Sequence, residues 1–151
     1  MDISFRPEFI DDLLNKDDKV AYNRLKELIS ASEKGNSVYK FFDTFAEMID
    51  SDNSYVRTRG LLLISANAKW DTENKVDEII DKYLRHIMDD KPITARQCIK
   101  ALPNIAKVKP DLVEDILAAL KKAAPQRYSE SMQSLVKNDI KAALKAISVP
   151  V

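Results

Sequence analysis

Shifted against itself by about 38 residues, the chain falls back onto its own apolar pattern. Val38, Phe41, Phe42, Phe45 and Ile49 land on Val76, Ile79, Ile80, Tyr83 and Ile87. Asp52 lands on Asp90, Gly60 on Cys98, Leu61 on Ile99, Ile64 on Leu102 and Lys69 on Lys107. A further step of about 37 carries Val76, Ile79, Ile80 and Tyr83 onto Val113, Ile116, Leu117 and Leu120. Asp17 to Ile29 matches Asp52 to Ile64 at a slightly shorter step. Within each copy the apolar residues recur at i, i+3, i+4 and i+7, the stripe of an amphipathic helix, and no stretch alternates at period two for long enough to predict a strand. One such helix cannot bury its stripe alone, but stacked pairs share a continuous core.

Punctuation residues place the helices. Pro7 opens a short helix ending near Asn15. Asp17 or Asp18 caps the next, which Gly35 stops. Ser37 opens a third, Asp52 or Asn53 caps a fourth running to about Lys69, and Thr72 caps a fifth. Pro92 begins a sixth, which Pro103 is expected to kink. Pro110 begins a seventh, Pro125 ends it, and Ser129 caps the last, with Met132, Val136, Ile140, Ala143 and Ile147 on its stripe. The expected organisation is a single domain over 1–151, with repeats at about 17–34, 37–69, 73–108 and 111–147 and a capping helix over 1–16.

The segment from Met48 through Asp50-Ser51-Asp52-Asn53, Val56-Arg57 and Gly60 to Ile64 resembles the junction of a HEAT repeat: apolar residues, an Asp/Asn-rich turn, Val-Arg, then small and apolar residues. Ile87 to Leu102 is similar, with its arginine, Arg96, displaced by one position. The resemblance covers roughly residues 17–147. It implies an all-α, right-handed α-α superhelix of HEAT/armadillo type with about four helix pairs. The whole chain also resembles short bacterial HEAT-like proteins, some labelled SufBD-like after iron–sulfur assembly scaffolds.

Several chemistries find no support in the residues. Gly is limited to Gly35 and Gly60, so a Gly-rich phosphate loop is not expected. Cys98 is the only cysteine and lies on the apolar stripe, where it reads as a small core residue; a cluster needs several thiolates. His86 is the only histidine and has no second His or Cys to complete a metal site. Asp17-Asp18 and Asp89-Asp90 read as helix-start and turn residues, and Asp77 and Asp81 as a solvated helix face. Trp70 reads as a plug at a repeat end. The expectation is a non-enzyme without cofactor or metal. With no basic start followed by an apolar run, and apolar stretches such as Leu61 to Ile64 far too short to span a bilayer, it is expected to be cytoplasmic with no membrane partner.

Net charge is zero, yet residues 1–90 carry a net −6 and residues 91–151 a net +6. In a HEAT-like array the second helix of each pair lines the concave surface. Taking the repeat-aligned apolar positions as buried leaves Arg24 and Glu27 on the first such helix, and Tyr55, Arg59, Leu62 and Lys69 on the next. Then come Ile93, Gln97, Lys100, Asn104 and Lys107, and finally Lys137, Lys141 and Lys145, which are spaced by four in one row. This basic ridge with apolar interruptions is expected to hold an acidic or amphipathic segment of a protein partner. The alternative is a nucleic-acid protein distantly resembling the HEAT-like alkylpurine DNA glycosylases, against which zero net charge and a pI near 6.6 both count.

Overall fold

The computed structural model describes residues 7–148, and among them the chain is all-α, with eight helices and no strand. They are α1 (Pro7–Asp11), α2 (Asp18–Lys34), α3 (Phe42–Met48), α4 (Ser54–Asn67), α5 (Lys75–Leu84), α6 (Pro92–Val108), α7 (Val113–Lys122) and α8 (Glu130–Ser148). The helix starts keep the register of the sequence repeat. α4, α6 and α8 begin at Ser54, Pro92 and Glu130, and α5 and α7 at Lys75 and Val113, each 38 residues after its predecessor.

Most caps are those expected. The Asp17 carboxylate accepts the Lys19 N–H, the Asn53 side-chain oxygen accepts those of Tyr55 and Val56, and Pro92 occupies the first turn of α6. Three local expectations change. The third helix does not start at Ser37: a 3-10 turn, Tyr39–Phe41, precedes α3. Thr72 does not cap α5. The buried Asp71 carboxylate accepts the Lys75 N–H instead, and Asn74 takes a left-handed conformation (φ 56°) to bring the chain round. Pro110 opens a 3-10 turn, Pro110–Leu112, rather than α7 itself, whereas Pro103 lies inside α6 as expected.

Chain contacts gather into two compact units, one up to Lys75 and one from Val76, a boundary close to the junction expected between the second and third repeats. In the first unit α3 and α4 form a helix hairpin around Phe42, Phe45, Ile49, Leu61 and Ile64, all buried. α2 packs on α4 through Ala21, Leu25 and Leu28. In the second unit Val76, Ile80, Tyr83, Ala95, Ile99 and Leu102 are buried, the 3-10 turn Arg85–Met88 with its buried Ile87 packs on α6, and α6 packs extensively on α8. Each large side chain removed from water contributes about 1.5–3 kcal/mol, which is the force that holds either unit together. Positions related by the 38-residue shift are buried alike: Val38 and Val76, Phe42 and Ile80, Phe45 and Tyr83, Ile49 and Ile87, Gly60 and Cys98.

Gly60 sets the separation of α3 and α4. A Cβ there would stand 2.9 Å from Met48 Cβ and 2.9 Å from the Phe45 carbonyl oxygen, closer than packed atoms come. Overpacking of about 1–3 kcal/mol outweighs the helix propensity that alanine would add, up to about 1 kcal/mol. Gly60→Ala is expected to lower stability by about 1–2 kcal/mol in urea unfolding, whereas Gly35→Ala, whose Cβ meets nothing within 4 Å, suffers no such clash. An unchanged midpoint for Gly60→Ala would show that the hairpin opens freely.

Candidate functional site

The residues expected to form a binding ridge separate into those that stand free and those that do not. On α6, burial of Thr94, Ala95, Cys98, Ile99, Leu102 and Ile105 turns the opposite stripe outward. Ile93 is 66% exposed, Lys100, Asn104 and Lys107 are exposed, and Gln97 is half-buried at the edge of this stripe. On α8, Val136, Ile140 and Ala143 face inward and Lys137, Lys141 and Lys145 outward. Between the two helices Arg96 Nε donates to Asp139 Oδ2 at 2.6 Å. Lys100, Lys107, Lys137, Lys141 and Lys145 have no carboxylate partner among the described residues.

In the first unit, Tyr55 is 61% exposed, Leu62 is half-buried and Lys69 is exposed. The Lys69 ammonium lies 5.5 Å from the Trp70 ring centroid and 3.4 Å from the Glu33 carbonyl oxygen. Arg59 is a correction: it is only 6% exposed. Its guanidinium donates to the Leu13 carbonyl at 2.8 Å and to Asp18 Oδ1 at 3.3 Å, so it ties the turn after α1 to the start of α2. Arg24 is likewise committed, to Asp12 and Glu27, with its guanidinium 4.3 Å from the Phe9 ring centroid. Neither arginine is available to a partner in this arrangement.

The chemically reactive residues are absorbed into the core and its joints. Cys98 is fully buried, its thiol 3.7 Å from the Tyr83 carbonyl, and burial pushes that thiol well above its ordinary pKa. His86 Nδ1 lies 2.7 Å from Asp89 Oδ2, while Asp89 Oδ1 accepts the Lys91 N–H at the start of α6. Trp70 donates its indole N–H to the Ser32 carbonyl at 2.6 Å, closing the end of α2. Asp77 does not belong to a solvated face. It pairs with the buried Lys109 at 3.0 Å. A hydrogen bond with Asp111, reinforced by Lys109, lowers the Asp77 pKa and correspondingly raises that of Asp111. Among the described residues no group of three His, Cys, Asp or Glu side chains could hold a metal, and no helix is long and apolar enough to cross a membrane.

One feature escaped the sequence reading: an open cleft of about 420 Å³ between α5 and α7 in the second unit. Its cue was the small residues Ala118 and Ala119 on α7 and Ala123 just after it, which leave space beside Leu84 and Met88. No protein-family model, curated protein or solved structure matches the chain.

Tyr128 donates its hydroxyl to the Asp89 carbonyl at 2.6 Å. Burial, then the negative charge of Asp89, pushes its pKa up to about 12 from 10.0. The folded pKa is raised, so the unfolded chain loses this proton first. The stability it contributes is complete below pH 10 and is lost as pH climbs from 10.0 to about 12. Tyr39 and Tyr83 are shifted in the same direction, chiefly by burial. A tyrosinate absorbance titration should therefore show late-titrating groups that appear together with alkaline unfolding. In Tyr128→Phe, which loses the bond to Asp89, stability at neutral pH should fall by about 1 kcal/mol. Full tyrosine ionisation near pH 10 in a chain that stays helical would contradict this placement.

Proposed function

We propose that this chain is a cytoplasmic, non-catalytic adaptor of HEAT/armadillo-repeat type that holds an acidic or amphipathic segment of a protein partner. The observation that carries the reading is how charge divides among the helices of the second unit. α6 contains Arg96, Lys100 and Lys107 and no carboxylate. On α8, Asp139 is occupied by Arg96, leaving Lys137, Lys141 and Lys145 facing solvent opposed only by Glu130 at the helix start. Half of the acids of this unit lie on α5 and α7, namely Asp77, Glu78, Asp81, Glu114 and Asp115, and Asp89, Asp90 and Asp111 lie in the connecting segments. The paired helices α6 and α8 thus present unneutralised lysines, with Ile93 exposed on the lysine stripe of α6. Lysines supply long-range attraction and orientation, and the apolar side chains supply the desolvated contact that exposed ion pairs, at about 0–1 kcal/mol each, do not.

In the first unit Tyr55 occupies on α4 the place that Ile93 occupies on α6, and it too is exposed. α4 also lacks any carboxylate. Tyr55, Leu62 and Lys69 therefore form the corresponding candidate contacts of that unit, without Arg59.

The reading is tested by titrating a fluorescent Glu- and Leu-containing amphipathic peptide into the full chain, with single-stranded and duplex DNA of equal length alongside. Peptide binding should weaken with added salt, over a Debye length of about 8 Å at physiological ionic strength. Lys100→Glu with Lys137→Glu should weaken it about tenfold, a change of about 1.4 kcal/mol, while Lys121→Glu on α7 changes it little. Equal binding to the doubly reversed variant would make these lysines ordinary solvated surface. DNA binding tighter than peptide binding would move the function to nucleic acid.

A further inference from the structure

We infer that the cleft between α5 and α7 is a second docking site, for a short amphipathic helix of a partner protein that carries both charge signs beside its apolar stripe. This inference does not depend on the basic face of α6 and α8. The cleft is built by a size mismatch. Leu84, Ile87 and Met88 form one apolar side, continuing from α5 into the 3-10 turn Arg85–Met88. Ala118, Ala119 and Ala123 form the other, and these methyl-sized side chains leave the space between the helices unfilled. At about 420 Å³ the volume lies within the range of about 300–1,000 Å³ usual for binding clefts. It opens broadly to solvent, which suits a row of side chains on a ridge better than an enclosed small molecule. Among the described residues there is no sheet edge for an extended peptide to join, so the groove fits a helix with anchors at i, i+3, i+4 and i+7.

Charge complementarity defines the occupant. One wall carries Asp81 and Arg85, the other Asp115 and Lys122. None of these four has an ion-pair partner among the described residues, unlike the inward-reaching Arg59, Arg96 and Lys109. An all-acidic segment would meet Asp81 and Asp115, and an all-basic one Arg85 and Lys122. Only a segment of both signs satisfies each wall, and like-charge contacts exclude the others. The two sites of the unit would therefore select different partner segments.

The experiment uses the full chain and three synthetic helical peptides with leucines at i, i+3, i+4 and i+7: one flanked by Lys before and Glu after, one in the reverse order, and one with Glu at both ends. Backbone amide shifts report where each binds. The expected result is that one mixed-charge peptide shifts Leu84, Met88 and Ala119 and leaves Lys100 and Lys137 unmoved. The all-Glu peptide should bind this cleft at least tenfold more weakly. Ala119→Trp, which fills the cleft, should weaken the mixed peptide at least tenfold. If that variant does not fold, the exposed double change Asp81→Lys with Asp115→Lys decides, and should bring the all-Glu peptide into the cleft in preference to the mixed one. Absence of shifts at these residues at millimolar peptide, shifts confined to α6 and α8, or a charge reversal without effect on preference would each overturn the inference. So would self-association of the chain that Ala119→Trp abolishes, since the occupant would then be a second copy.

Discussion

How closely a helix hairpin can shut governs each unit, and one position controls it. In the first unit that position is Gly60, where the missing side chain lets the Phe45 carbonyl and Met48 approach α4. In the second it is Cys98, 38 residues on, whose thiol faces the carbonyl of Tyr83, the residue 38 beyond Phe45. The same meeting point thus recurs with a spacer one small side chain larger. The lone cysteine therefore needs no reactive chemistry: it is fully buried at this meeting point, and burial keeps the thiol protonated. The apolar stripes can interdigitate because this contact brings them within reach.

A second relation between the units is hidden by its chemistry. In the first, the Tyr39 hydroxyl donates to the Asp71 carboxylate at 2.5 Å. The positions 38 residues later are Asp77 and Lys109, which pair at 3.0 Å. The donor has changed from the earlier residue to the later one and the acceptor has moved the other way. What persists is the need for a partnered polar link at a largely buried helix joint, since an unpartnered group there would be costly. Comparison of residue types alone does not reveal this, because neither position keeps its identity, and it is why Asp77 looked like part of a solvated face.

The helical class, most helix starts and the buried stripes were legible in the sequence because they rest on local rules: period, caps and punctuation. The exposed stripe of α6 followed by subtraction. Arg59 did not, for a geometric reason. Tyr55, Leu62 and Lys69 are seven residues apart and nearly eclipse one another on a helix, whereas Arg59 lies about 40° to one side. That flank of α4 is covered by the turn after α1 and the start of α2, where the Leu13 carbonyl and the Asp18 carboxylate wait for a donor. A hydrophobic stripe says which face is buried; it does not say which flank a neighbouring helix covers. The cleft beside α7 was missed for the converse reason. An alanine is compatible with a packed surface or an empty one, and only the neighbours placed opposite Ala118, Ala119 and Ala123 decide.

Zero net charge is a weak guide to the partners of such a chain. Packed helices lie about 8–10 Å apart axis to axis, and side chains on their outward faces stand farther apart still. Physiological salt screens over about 8 Å. Around the exposed Lys100 and Lys107 of α6 and the exposed Lys137, Lys141 and Lys145 of α8, the local charge therefore differs from the chain's zero net charge. The relevant quantity is charge per face. The Arg96–Asp139 pair joins α6 to α8 and leaves α6 with Lys100 and Lys107 as its remaining cations, with no carboxylate of its own.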